Sequence, residues 1–244
     1  MPPPEVVLVG LGPGPLAQLT REAEDVLRAA SRVFLRMEVD PVRAWLEAQG
    51  TMVLSFAGLY HAPGIDYDDI YPFIADAVLQ DARRRGRAVY AVPGHPFVVE
   101  TPSVLIAERA AAEDLALRVV PGVSYIDVAY ALLRLDPAEN VQITTAWDLV
   151  AGRPLALDRA LLISQILARP SVASPAVPKN IVAVQRWLEA RFPPAHAVSL
   201  VCSEGPPAFA STLETFPLAE LPARTRGRAY ATLYVPPRAG RTEA

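Results

Sequence analysis

Strand-length apolar runs that stop at glycine- or proline-rich turns, each followed by a stretch with helical periodicity, fill the first half of this chain and limit what it can fold into. Val6 to Val9 runs into Gly10-Leu11-Gly12-Pro13-Gly14, after which Thr20 is placed to cap a helix with Ala23, Val26, Leu27 and Ala30 on one face. The pattern then predicts a strand at 33–35, a helix at 42–49, a strand at 51–55 and a helix at 70–85. A strand at 88–92 breaks at Pro93-Gly94-His95-Pro96, a helix covers about 103–112, and a strand at 116–120 stops at Pro121-Gly122. Such alternation with short connections implies a mostly parallel sheet covered by helices on both faces.

The second half has a different grammar. After a helix at 126–133, strands are expected at 142–144, 160–163, 198–202, 211–216 and 229–235, with one amphipathic helix at 181–191. Strands that follow one another without intervening helices imply a mixed sheet. The expected organisation is therefore α/β with two αβα domains, 1–122 and 123–237, a seam at 121–125 and a tail at 238–244. Segment 166–178, interrupted by prolines and lacking periodicity, is expected to be a loop or flap.

Composition removes several function classes. The 244 residues carry a net charge of −3, which gives no general attraction for nucleic acid. The run Arg83-Arg84-Arg85 ends a helical pattern, where cations complement the helix dipole. The longest apolar runs are far short of the ~20 residues that cross a bilayer, and Met-Pro-Pro-Pro-Glu does not resemble a secretory signal, so a cytoplasmic protein with no membrane partner is expected. One cysteine, Cys202, and the scattered His61, His95 and His196 give no metal-ligand spacing, and no metal is expected.

Two nucleotide-binding readings of the first turn fail. A dinucleotide fingerprint needs a third glycine three residues after the second, where Pro15 stands, and an acid after the second strand, where the chain has Leu35-Arg36. No Gly-Lys-Ser/Thr is present, which removes a triphosphate loop. What stays is a pair of strand-end turns, Pro93-Gly94-His95-Pro96 and Pro121-Gly122-Val123-Ser124, at the sheet edge where open α/β folds bind ligands. For His95 the pattern leaves two roles open, a functional group or a loop side chain bonded to backbone.

Taken together, Val9-Gly-Leu-Gly-Pro-Gly14, Ala91-Val-Pro-Gly-His-Pro-Phe-Val98 and Val120-Pro-Gly-Val-Ser124 resemble the tetrapyrrole (corrin/porphyrin) methylases, the class III S-adenosylmethionine-dependent methyltransferases. Tyr90 to Val98, Leu162-Ile-Ser-Gln-Ile166 and Leu233-Tyr-Val-Pro-Pro237 are similar to the subgroup associated with MazG nucleotide pyrophosphohydrolases. With only residues 238–244 after that last motif, no pyrophosphohydrolase domain is expected here. The resemblance implies two αβα domains with a cofactor cleft between them, and a homodimer. It implies S-adenosyl-L-methionine as cofactor, S-adenosyl-L-homocysteine as product, and contacts from Pro93, Gly94, His95, Val98, Ser124, Tyr125, Gln165, Ala231 and Thr232. Gly12, Pro13 and Gly14 would line the acceptor side, and His95, Tyr67 and Tyr71 are the candidate catalytic groups.

Many members carry Gly-Gly-Asp-Pro where this chain has Pro93-Gly94-His95-Pro96, which argues against a sirohaem- or cobalamin-type acceptor. The expected function is methyl transfer to an unidentified small molecule. Gly94-His95-Pro96, with Asp127 after Pro121-Gly-Val-Ser124 and with Tyr67 and Tyr71 upstream, also resembles the borosin-type peptide backbone N-methyltransferases. The short, charged tail is unlike a core peptide, so a peptide substrate would act in trans. A catalytically silent cofactor-binding module is the third alternative.

Overall fold

The computed structural model describes residues 3–38, 40–62, 64–138, 140–167, 181–203, 210–228 and 230–238. The chain divides into two units, 1–127 and 128–244. In the first, β1 (Glu5–Gly10), β2 (Arg32–Leu35), β3 (Met52–Ser55), β4 (Arg87–Val92) and β5 (Ala116–Val120) form one sheet in the order β3-β2-β4-β1-β5. Every pairing in it is parallel. The connecting helices are α1 (Arg21–Arg28), α2 (Asp40–Ala48), α3 (Tyr67–Arg85) and α4 (Thr101–Ala112).

The two faces of this sheet follow from side-chain alternation. Val7, Val9, Val33, Leu35, Val89 and Ala91 share one core with Val26 and Leu27 of α1 and with Val42 and Leu46 of α2. Val6, Leu8, Phe34, Ala88 and Tyr90 alternate with them and so point to the other face, where α3 packs on β4 and β1 and α4 packs on α3. At the start of α1, Thr20 Oγ1 accepts the Ala23 amide at 3.1 Å, the capping predicted from the sequence.

The second unit holds β6 (Val141–Thr145), β7 (Ala160–Ser164), β8 (Ala197–Ser203), β9 (Ser211–Pro217) and β10 (Tyr230–Val235) in the order β6-β7-β10-β8-β9. Only β6 and β7 pair in parallel; the other three pairings are antiparallel, so the sheet is mixed as expected. The short helices α6 (Ala146–Val150) and α8 (Leu221–Arg224) were not expected from periodicity, which five or four residues cannot display. They join α7 (Ile181–Glu189) in covering Leu161, Ile163, Leu200, Leu233 and Val235. Between the sheets in sequence, α5 spans Tyr125–Leu133, and the division after Asp127 falls inside it. Of the expected 166–178 loop, Ile166 and Leu167 are a buried turn, and 168–178 lie outside the described residues.

Candidate functional site

Strand order locates the crevice of the first sheet. The path from β1 to β2 crosses β4 in one direction, and the path from β4 to β5 crosses β1 in the other. Right-handed crossovers then put α1 and α4 on opposite faces, and the loops leaving β1 and β4 diverge at the carboxyl edge, which is where open α/β sheets take ligands.

Those two loops are tied by their main chains. The Gly94 amide donates to Gly12 O at 2.8 Å and the Gly12 amide to Gly94 O at 3.3 Å, an isolated antiparallel bridge at the end of a parallel sheet. The third strand end packs against the same point. A Cβ on Gly122 would stand 2.2 Å from Gly94 O and 2.8 Å from Gly10 Cα, and one on Gly10 would stand 2.5 Å from Gly122 N. Gly10 and Gly122 are therefore glycines because three backbones cross there. Gly94 differs: it has φ of +73°, and a Cβ there would meet nothing nearer than Ser124 Cα at 3.9 Å.

His95 is half-buried, and its Nδ1 accepts the Phe97 amide at 3.0 Å. A neutral ring in that arrangement carries its proton on Nε2 and presents a donor outward. Ser124, buried, donates through both its amide and its hydroxyl to Asp127 Oδ2, each at 2.7 Å, and so shapes the start of α5. Burial opposes the Asp127 charge, but the Ser124 bonds and the nearby His95 outweigh it and hold that carboxyl below the usual aspartate value. Tyr125 opens α5 half-buried, and Val98 lies half-buried two residues before Glu100.

In the second unit, Gln165 follows β7 with φ of +58°, an uncommon conformation for a residue with a side chain, and its Oε1 accepts the Trp147 indole N–H. Ala231 and Thr232 lie in β10 opposite Cys202 and Val201. In the first turn, Gly12 and Gly14 are buried and Pro13 half-buried. Of the two candidate tyrosines, Tyr67 begins α3, with its side chain outside the described residues, and Tyr71 is half-buried one turn on.

The fold gathers around Tyr71 a group that sequence reasoning did not find. Arg36 follows β2, and its Nε lies 2.9 Å from Glu100 Oε2 in an ion pair whose angles are not those of a hydrogen bond. The Tyr90 hydroxyl donates to Glu100 Oε1 at 3.3 Å, and the Arg36 guanidinium lies 5.3 Å from the centre of the Tyr60 ring. Burial pushes the Glu100 carboxyl up, against the pull of Arg36 and Tyr90, to about 7. Burial also opposes the Arg36 charge, but Glu100, then Tyr60, Tyr90 and Tyr71, more than offset it and raise its affinity for the proton. Arg36 and Glu100 are 64 positions apart, and no spacing signal joins them; the strand end at Leu35-Arg36 was the one hint. Among the described residues no group of metal-ligating side chains is present, and no helix is long and apolar enough to cross a membrane.

The family model for tetrapyrrole (corrin/porphyrin) methylases matches residues 5–220. The chain belongs to this family. Among its relatives, the uncharacterized protein YabN of Bacillus subtilis is 30% identical over 96% of this chain and 45% of its own length. A precursor of the ribosomally synthesized cyclic peptide dendrothelin A from Dendrothele bispora, which includes a methyltransferase, is 27% identical over 97% of this chain and 58% of its own. The chain thus spans about half the length of these curated relatives. In fold it is similar to uroporphyrin-III-C-methyltransferase from Thermus thermophilus, with a TM-score of 0.70, 21% identity, and coverage of 96% of this chain and 94% of that one. Diphthine synthase gives a TM-score of 0.66 at 16% identity, over 96% of this chain and 90% of that one. The two α/β units are those of the tetrapyrrole methylase fold.

Proposed function

We propose that this tetrapyrrole methylase family protein transfers a methyl group from S-adenosyl-L-methionine to a small-molecule acceptor, releasing S-adenosyl-L-homocysteine. The observation that carries the reading is Gly94: at the diverging strand ends its missing side chain leaves an open cradle, beside peptide groups fixed by the Gly12 bridge. Those features fit a cofactor held largely by main-chain contacts, with Pro93, Gly94, His95, Val98, Ser124 and Tyr125 as the residues that would hold it. Gln165, Ala231 and Thr232 are proposed as contacts on the resemblance alone, and the motif series favours the MazG-associated subgroup.

When bound, the methylsulfonium supplies an electrophilic methyl, so the chain has little to add beyond alignment and exclusion of water. With Nδ1 engaged by Phe97, His95 orients a polar ligand atom through Nε2–H. Ser124 and Asp127 fix the second turn, and Gly12 to Gly14 face the acceptor. A peptide acceptor supplied in trans is the second reading, favoured by the placement of Tyr71 near Arg36.

Calorimetry with S-adenosyl-L-homocysteine tests the proposal. Micromolar-range binding is expected, and Gly94→Ala should weaken it by at least about tenfold while costing the fold only about 1–2 kcal/mol for a side chain at positive φ. Absence of heat with both cofactor and product, at several temperatures, would remove the methyl-transfer reading.

A further inference from the structure

The carboxyl edge of the first sheet carries a second feature, one strand away from the Gly94 turn. Arg36 after β2, Tyr60 after β3, Tyr71 of α3, Tyr90 of β4 and Glu100 before α4 converge there from five separate segments. A buried ion pair at such a place is weak evidence for a stability role, because an apolar pair would fill the same volume without the desolvation cost. The arrangement is also unevenly satisfied. Glu100 uses one oxygen for Tyr90 and the other for Arg36 Nε, and its side chain is 4% exposed. Arg36 lies over the Tyr60 ring and meets Glu100 through Nε in an ion pair without hydrogen-bond geometry, and 20% of its side chain remains exposed.

We propose that Arg36 is the anchor for a singly charged carboxylate group of the acceptor, which takes over from Glu100 as the partner of the guanidinium. A guanidinium presents its terminal N–H groups in a fork that matches the two oxygens of a carboxylate. Two carboxylates beside one arginine would leave a net negative charge in a poorly solvated place, so the incoming anion is matched by one proton from solvent, taken up on a Glu100 oxygen. The only bond formed in that step is the carboxyl O–H; the charge of the cluster, Arg36 plus one carboxylate, is unchanged. The elevated Glu100 proton affinity makes this exchange accessible near neutral pH. The titratable groups acting on Glu100 are Arg36 and Tyr90, with Tyr60 and Tyr71 around the guanidinium; the proton affinities of Arg36 and Tyr90 are both raised, so neither changes charge in that range. A dianion is disfavoured, because Glu100 can give up only one negative charge. Glu100 is thus a positioning residue and Arg36 the specificity-determining contact.

The inference rests on the methyl-transfer reading only in assigning the carboxylate to the acceptor. It is tested on the full chain with acetate as probe, following the Glu100 carboxyl by carbon NMR of glutamate-labelled protein, with Glu100→Gln to identify the signal. Acetate should raise the apparent Glu100 titration, and its own affinity should fall about tenfold per pH unit above pH ~7. Arg36→Met should abolish the effect, and Glu100→Gln should bind acetate at least as tightly with no pH dependence. Inorganic phosphate should bind more weakly than acetate at pH 8. Wild-type acetate affinity that is flat from pH 6 to 9, equal binding by Arg36→Met, or tighter binding of phosphate would overturn the assignment. Should Arg36→Met fail to fold, the wild-type pH dependence decides alone. Loss of acetate binding with homocysteine-product binding intact defeats this inference only, and the reverse result defeats the methyl-transfer reading only.

Discussion

Gly122→Ala is the sharpest test of the crossing at the carboxyl edge, because the new methyl meets only main chain. Its Cβ would begin 2.2 Å from Gly94 O and 2.8 Å from Gly10 Cα. Reaching an ordinary contact of about 3.4 Å requires the Gly94 turn to retreat by about 1.2 Å, and overpacking of that kind costs about 1–3 kcal/mol. The same retreat breaks the 2.8 Å and 3.3 Å bonds between Gly94 and Gly12, worth about 1 kcal/mol each. The sum is about 3–5 kcal/mol, a large part of a domain's stability. For a unit spanning residues 1–127, at about 4 °C per kcal/mol, the midpoint should drop by about 12–20 °C in a thermal melt followed by circular dichroism. Gly94→Ala, which adds its methyl to open space and bears only the cost of positive φ, should drop it by about 4–8 °C. A Gly122→Ala protein melting within about 2 °C of the wild type would refute the three-backbone explanation.

Glu100 also sets a slope of stability against pH. Its carboxyl is raised from 4.5 to about 7, so the folded state holds more protons than the unfolded one between those values, and stability falls as pH rises from about 4.5 to 7, by about 3 kcal/mol in all. Glu100→Gln should abolish that slope, and parallel melts of variant and wild type from pH 5 to 8 with unchanged spacing would contradict the account. In Gln165→Gly the relief of about 1 kcal/mol of αL strain is offset by loss of the Trp147 bond, also worth about 1 kcal/mol, so the melting temperature should stay within about 2 °C of the wild type while cofactor-product binding weakens, and a larger fall would show that the Trp147 bond outweighs the strain.

The parts of the fold visible in the sequence were those whose signal is local. Ala116 to Val120 was bounded correctly because a turn follows at Pro121-Gly122, and Thr20 announced its helix through capping chemistry three residues ahead. The mixed character of the second sheet followed from missing helices. The 3-10 turn at Ala57–His61, which positions Tyr60, left no periodic trace because one turn has no period. The candidate site divided in the same way. Gly94 and His95 stood out by their neighbours, but the reason Gly10 and Gly122 are glycines is a contact between strand ends 112 positions apart. In the sequence Arg36 stands out only as a non-acid at a strand end, and its partner Glu100 sits in no motif at all. Pairing across strands β2 and β4 is a property of strand order, which composition and periodicity do not encode.

The reciprocal bridge between Gly12 and Gly94 has a kinetic side. Each residue is both donor and acceptor to the other, so neither amide can meet solvent while its partner stays in place. The first loop and the fourth-strand turn accordingly share a single opening event, and the Gly12 and Gly94 amides should exchange with deuterium at one common rate in the free protein and slow by one common factor when a ligand occupies the turn. Two unequal slowing factors would mean that the loops breathe separately. A molecule resting on Gly94 thereby immobilises the Gly12–Gly14 segment without touching it.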